Sequence, residues 1–115
     1  MHQNINDIAI KLNREFIDAL NRNDLEKLQT KFSVNNLLYN EIFEILNSYF
    51  GNSIPELFIG EKNIEIFKYD DSHNFGCEIS IFTMDNKHTD LTLHTELELT
   101  FDNEIQLRFR LIEVM

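Results

Sequence analysis

The sequence is poor in the residues that build disulfides, phosphate-binding loops and membrane spans. It has a single cysteine, Cys77, so it cannot form the internal disulfides on which small secreted domains commonly depend. With three glycines and one proline, it has too few glycines for a glycine-rich phosphate loop. Its apolar runs do not exceed four residues, whereas a membrane-spanning helix needs about 20. The first residues lack the basic and apolar regions of a signal peptide, so we expect a cytoplasmic protein.

Basic residues are also scarce: 10 Lys and Arg stand against 20 Asp and Glu, a formal charge of −10. Binding to nucleic acid or to an anionic membrane needs clustered Lys and Arg, so we expect neither partner. Residues 61–115 hold 12 of the acids and 5 of the bases, so most of the charge lies in the second half. This charge suits a basic protein partner, because complementary charge speeds encounter. The alternative is that the acids only keep the protein soluble.

Apolar residues are abundant, at 43% of a 115-residue chain, which predicts one folded domain over residues 1–115. The first 50 residues follow a helical period and predict three helices. The first covers 4–21. Asn23 is the predicted N-cap of the second helix, and Ser33 that of the third, which covers 35–50.

The connection that follows the helices is predicted to run over residues 51–62, with Gly51 ending the third helix. From residue 63 onward the period changes to 2, which is typical of strands with one apolar and one wet face. We therefore predict an α+β fold in which the helices of residues 1–50 pack on one face of a roughly four-stranded antiparallel sheet formed by residues 63–115.

The register of the last hairpin can be predicted, because directly opposed residues must share a face of the sheet. Pairing Phe101 with Ile105 sets Leu99 opposite Leu107 and Leu97 opposite Phe109. The same register sets Glu98 opposite Arg108 and Glu96 opposite Arg110 on the wet face, which predicts two ion pairs there.

Metal-capable side chains occur close together at His88, Asp90, His94 and Glu96. A metal site needs three or four convergent ligands, and a row of such residues on a wet strand face is commonly only surface. Cys77 lies on the apolar face of its strand, where a thiol is usually packing rather than a nucleophile. We therefore expect no metal, no cofactor, no catalytic residue and no enzymatic activity.

One enzymatic alternative remains open. Helices over a curved sheet form the cone of small isomerases and dehydratases of the NTF2-like type, which place an Asp or His inside it. Thr95 interrupts the apolar face of the third strand, but a hydroxyl is a poor acid or base. The runner-up hypothesis is thus an NTF2-like enzyme or ligand-binding domain.

Acidic and aromatic residues in the second half form the predicted docking surface for a basic protein. Turn and strand carboxylates would meet the partner's bases, and aromatic side chains beside them would act as anchors. Phe67 and Phe82 fall off the apolar register of their strands, so each is exposed or covered by another element. The predicted partner-binding residues are Tyr69, Asp70, Asp71, Glu78, Phe82, Asp85 and Asp90.

The chain as a whole resembles the immunity proteins of bacterial contact-dependent growth inhibition. It is small, strongly acidic, rich in Asn, Ile and Phe, and free of catalytic motifs. The segments 90–93 and 96–99, which read DLTL and ELEL, are also similar to the C-terminal strands of a small uncharacterised bacterial domain family with N-terminal helices. The first resemblance implies binding and neutralisation of a cognate toxin domain, often a basic nuclease. It supplies no catalytic residues.

Overall fold

Three helices occupy the first half of the chain in the computed structural model, which describes residues 4–69, 74–84, 87–100 and 104–114, without the side chains of residues 61 and 63. Helix α1 is Ile5–Asn21, α2 is Leu25–Phe32 and α3 is Asn36–Phe50. The three predicted helices are confirmed.

Both predicted internal caps were wrong by one or two residues. Asp24 rather than Asn23 caps α2, because its carboxylate accepts a hydrogen bond from the backbone N–H of Lys27 at 3.1 Å. Asn35 rather than Ser33 caps α3 in the same way, with the N–H of Leu38 at 2.8 Å as donor. Asn23 and Ser33 instead have positive φ angles, of 53° and 58°.

The described part of the second half contains four antiparallel strands, paired in chain order: β1 is Leu57–Lys68, β2 is Phe75–Thr83, β3 is Lys87–Leu99 and β4 is Ile105–Val114. The helices pack on one face of this sheet, so the predicted α+β architecture is confirmed.

The predicted connection over 51–62 is wrong in its second half, because β1 begins at Leu57. The side chain of Asn21, at the end of α1, explains the early start. Its amide nitrogen donates to the carbonyl of Leu57 at 2.8 Å, and its amide oxygen accepts from the N–H of Leu57 at 2.9 Å. The amide thus satisfies the backbone of Leu57 as a neighbouring strand would. The pairing of β1 with β2 is irregular between Ile59 and Ile64. The sequence of this part of β1 therefore lacks the alternation of apolar and polar residues that indicates a strand.

The hairpin register differs from the prediction by two positions. Leu99 is opposite Ile105, and Leu97 is opposite Leu107, so the side chains from Ile105 to Phe109 keep their predicted faces. Leu111, predicted on the apolar face, instead lies opposite His94 on the face away from the helices, because one additional residue follows Phe109. The two predicted ion pairs nevertheless form diagonally. Arg108 Nε lies 3.1 Å from a carboxylate oxygen of Glu98, and an Arg110 guanidinium nitrogen lies 3.3 Å from one of Glu96. Phe101, the predicted closing residue, lies outside the described residues.

Helices and sheet share one apolar core. The fully buried ring of Phe16 on α1 packs edge-on against Phe32 of α2, with ring centroids 5.4 Å apart. It also stacks on Phe109 of β4 at 5.6 Å. The alternating apolar side chains of β2 and β3 complete this core, as their period predicts.

Candidate interaction surface

The sheet has two faces of different chemistry. The inner face carries opposed apolar pairs such as Ile79 and Leu93, both fully buried against the helices. Directly opposed residues share a face, so the intervening pairs define the outer face, on the side away from the helices. Glu78 and His94 are one such outer pair, and their side chains are 41% and 21% exposed.

An acidic row crosses the outer face. Glu65 of β1 lies directly opposite Glu78 of β2, which in turn lies opposite His94 of β3. One imidazole nitrogen of His94 is 3.8 Å from a carboxylate oxygen of Glu78, and the other is 3.0 Å from one of Glu113 on β4. Like charges directly opposite one another destabilise a sheet, so the pair formed by Glu65 and Glu78 is an unfavourable arrangement for the isolated protein.

Arginines neutralise the outer face only at its β3–β4 side, where Arg108 and Arg110 form the two ion pairs with Glu98 and Glu96. The β1–β2 side carries Glu65 and Glu78 and no described Arg or Lys directly opposite them. Over the described outer face, five carboxylates stand against two guanidinium groups: Glu65, Glu78, Glu96, Glu98 and Glu113 against Arg108 and Arg110.

Aromatic side chains flank the acidic row at one end of β1 and β2. Phe58, which is 43% exposed, lies directly opposite Phe82. The Phe82 ring meets the imidazole of His88 edge-on, with centroids 5.0 Å apart. It also covers Gly60 so closely that a methyl group on that residue would overlap it.

A second aromatic pair lies at the other end of the same two strands. Phe67 is 42% exposed and stands directly opposite Gly76, where its ring fills the space that a side chain would occupy. Tyr69 meets this ring edge-on at 5.5 Å, with its hydroxyl also beside Gly76. Acids therefore lie between two partly exposed aromatic groups on one face.

Three of the seven predicted binding residues come together on this face: Tyr69, Glu78 and Phe82. Asp90 lies elsewhere, since its backbone N–H donates to the hydroxyl of Tyr49 on α3 at 2.9 Å. The predictions at Asp70, Asp71 and Asp85 fall outside the described residues.

Sequence reasoning missed several members of the surface. Phe58 was missed because its segment was predicted to be a connection, and Glu113 because the additional residue after Phe109 reverses the alternation of faces in the last part of β4. Glu65 could have been found, since it alternates with the apolar Ile64 and Ile66 on a predicted strand. Phe75, at the start of β2, lies on the inner face and packs against the core.

A polar cluster lies on the inner face at Thr95. The buried hydroxyl of Thr95 donates to the side-chain oxygen of Asn13 on α1 at 2.8 Å, and the Asn13 amide donates to the carbonyl of Ala9 at 2.8 Å. Cys77 lies directly opposite Thr95. Burial raises the pKa of the Cys77 thiol, and hydrogen bonding with Thr95 and Asn13 partly offsets this. Thr95, which interrupts the apolar face of β3 as predicted, is thus hydrogen-bonded to the side chain of Asn13 on α1.

Among the described residues, no three His, Cys, Asp or Glu side chains are grouped so as to hold a metal ion. None of the described helices combines the length and apolarity needed to cross a membrane. Comparison with protein families, with curated proteins and with solved structures gave no match.

Proposed function

We propose that this chain is an immunity-type inhibitor, which binds a basic toxin domain through the outer face of its sheet and so neutralises it. The observation that carries the proposal is the opposed pair Glu65 and Glu78, set between the exposed rings of Phe58 and Phe67. A nuclease is the class of toxin that the resemblance to immunity proteins favours.

The acidic pair gains from such a partner because its charges repel one another in the free protein. A Lys or Arg placed between the two carboxylates would relieve this repulsion and form charge-assisted hydrogen bonds. The rings on either side supply the apolar anchors that dominate binding energy at interfaces, with acids steering the approach.

The direct test is co-expression with the protein encoded immediately upstream, followed by affinity capture. We expect a stable complex, and we expect this chain to restore growth to cells that produce the upstream protein's C-terminal domain. The absence of both a complex at low salt and of protection would refute the immunity proposal.

A charge-reversal pair locates the interface. We expect E65K combined with E78K to weaken capture at least tenfold, because two attractive contacts become repulsive. The matched control is E41K with E44K, which reverses two exposed acids on α3, away from the outer face. Equal loss with both pairs would show that overall charge, rather than this face, determines binding.

The NTF2-like alternative receives no specific support from the described residues. Its expected sign is a carboxylate or imidazole aimed into the interior, whereas the buried polar residues described are Asn13, Thr89 and Thr95.

A further inference from the structure

Strand β4 is an edge strand of the described sheet. The strand order places β3 on one side of it and no described strand on the other. An edge strand offers unpaired backbone N–H and C=O groups to another strand, and proteins usually blunt such edges. Two large apolar side chains, Leu111 and Val114, are 47% and 56% exposed on β4.

The other edge strand, β1, is protected against pairing with a further strand, whereas β4 is not. In β1, four residues separate Ile59 from Ile64, while their partners Ile81 and Ile79 are only two positions apart. The backbone of Leu57 is also occupied by the side chain of Asn21. In β4 the only irregularity is one additional residue between Phe109 and Leu111. Of the two edges, β4 is therefore the one suited to strand pairing.

The additional residue makes β4 complementary to itself. Leu107 and Phe109 face the core before it, and Ile112 and Val114 occupy inner-face positions after it. If two copies of β4 run antiparallel with Phe109 opposite Ile112, then Leu107 falls opposite Val114. Inner-face residues thus meet inner-face residues on both sides of a twofold axis between residues 110 and 111.

Charge selects the same register. On the outer face it places Arg108 of one copy opposite Glu113 of the other, twice per pair, and sets Arg110 opposite Leu111. Strand β4 has two arginines and one glutamate, and it is the only one of the four strands with more Lys and Arg than Asp and Glu. Electrostatic repulsion between two copies of this acidic chain is therefore smallest at β4.

We propose that a second copy of this chain pairs with β4, antiparallel about a twofold axis between Arg110 and Leu111, to form a continuous eight-stranded sheet. This interface is independent of the proposed toxin-binding function, since it uses the strand edge rather than the β1–β2 side of the outer face.

A charge swap tests both the pairing and its register. Sedimentation equilibrium of the full chain over a wide concentration range should show a monomer–dimer equilibrium. R108E and E113R should each raise the dimer Kd about tenfold, because each replaces two opposite-charge contacts by like-charge contacts. The double variant R108E/E113R should return the Kd to near the wild-type value.

Two controls keep the result specific. R22E reverses one member of an exposed ion pair at the C-terminal end of α1, where Arg22 lies 3.5 Å from Asp18, and should leave the Kd unchanged. Circular dichroism melting should confirm that each variant is folded.

Spin labels give an independent measure of the register. In a Cys77→Ser background, labels at L111C should lie within about 10 Å of each other across the axis, while labels at Q106C should be about 30 Å apart, at about 3.4 Å per residue. A monomer at all concentrations would refute the proposal, as would a swap that fails to restore dimerisation or label distances in the reverse order.

Discussion

At the scale of single residues, the buried cluster of Asn13, Cys77 and Thr95 is the polar part of an otherwise apolar core between α1 and the sheet. Each member is at most 1% exposed, so every polar atom must find its partner within the protein. No buried side-chain nitrogen or oxygen among the described residues lacks a hydrogen-bond partner. The cluster therefore links α1 to the middle of the sheet at low cost.

The Cys77 thiol predicts a pH dependence of stability. In the unfolded chain it ionises near pH 8.5, whereas burial raises its pKa in the folded protein. Above about pH 8.5 the unfolded state therefore releases a proton that the folded state keeps, and the free energy of unfolding falls as pH rises. Urea unfolding should show this loss in the wild type but not in Cys77→Ala. Parallel pH curves for the two proteins would contradict it.

Removing the Thr95 hydroxyl should be costly. Thr95→Val leaves the buried side-chain oxygen of Asn13 without its donor, which we expect to lower the free energy of unfolding by about 1–3 kcal/mol. Urea denaturation measures the change. The double variant Asn13→Leu/Thr95→Val removes both partners and should recover part of it, whereas additive losses would show that the hydrogen bond contributes little.

At the scale of elements, the sequence-based prediction and the structure differ in which residues cap the helices, and mutations can test which is correct. Ser33 has φ 58° and ψ 32°, a left-handed conformation that costs an L-residue about 1–2 kcal/mol. Ser33→Gly should therefore raise the free energy of unfolding by about 0.5–1 kcal/mol. Asn35→Ala, which removes the true cap of α3, should lower it by about 1 kcal/mol. If Ser33 capped α3, the glycine variant would instead be slightly destabilised, and thermal or urea unfolding separates the two.

The sequence predicted the helices, the strands and the face of most strand residues, because apolar periodicity records burial directly; Leu111 is an exception, since the additional residue in β4 moves it to the outer face. It failed where a local signal had two interpretations. Asn23 and Asp24 are both good caps, as are Ser33 and Asn35, and only the backbone geometry decides between them. The start of β1 depends on the side chain of Asn21, 36 residues earlier, which no local pattern can report.

The hairpin register shows a further limit. A shift of two positions preserves every inner and outer face, so the alternation of Leu97 and Leu99 could not detect it. The ion pairs of Arg108 and Arg110 could not detect it either, because long side chains reach diagonal partners as well as opposite ones.

At the scale of the whole molecule, charge should control the rate of the proposed association. The chain carries −10, and exposed charges are screened over about 10 Å at 0.1 M salt. We expect the association rate constant with the upstream toxin domain to fall at least tenfold between low and moderate salt, while the dissociation rate changes little. Stopped-flow measurements would show this. The E65K/E78K variant should have a shallower salt dependence, and an on-rate indifferent to salt in the wild type would contradict acidic steering.

The two glycines beneath aromatic rings have a consequence for how specificity could change. The ring of Phe82 lies over Gly60, and the ring of Phe67 lies over Gly76, because neither glycine has a side chain. An alanine at Gly60 or Gly76 would therefore push the ring above it away from the sheet. The height of each ring above the surface is thus set from below, by a residue that a partner would not touch. Substitution of one of these glycines by alanine would therefore change what this face recognises, although none of the residues that contact the partner would be replaced.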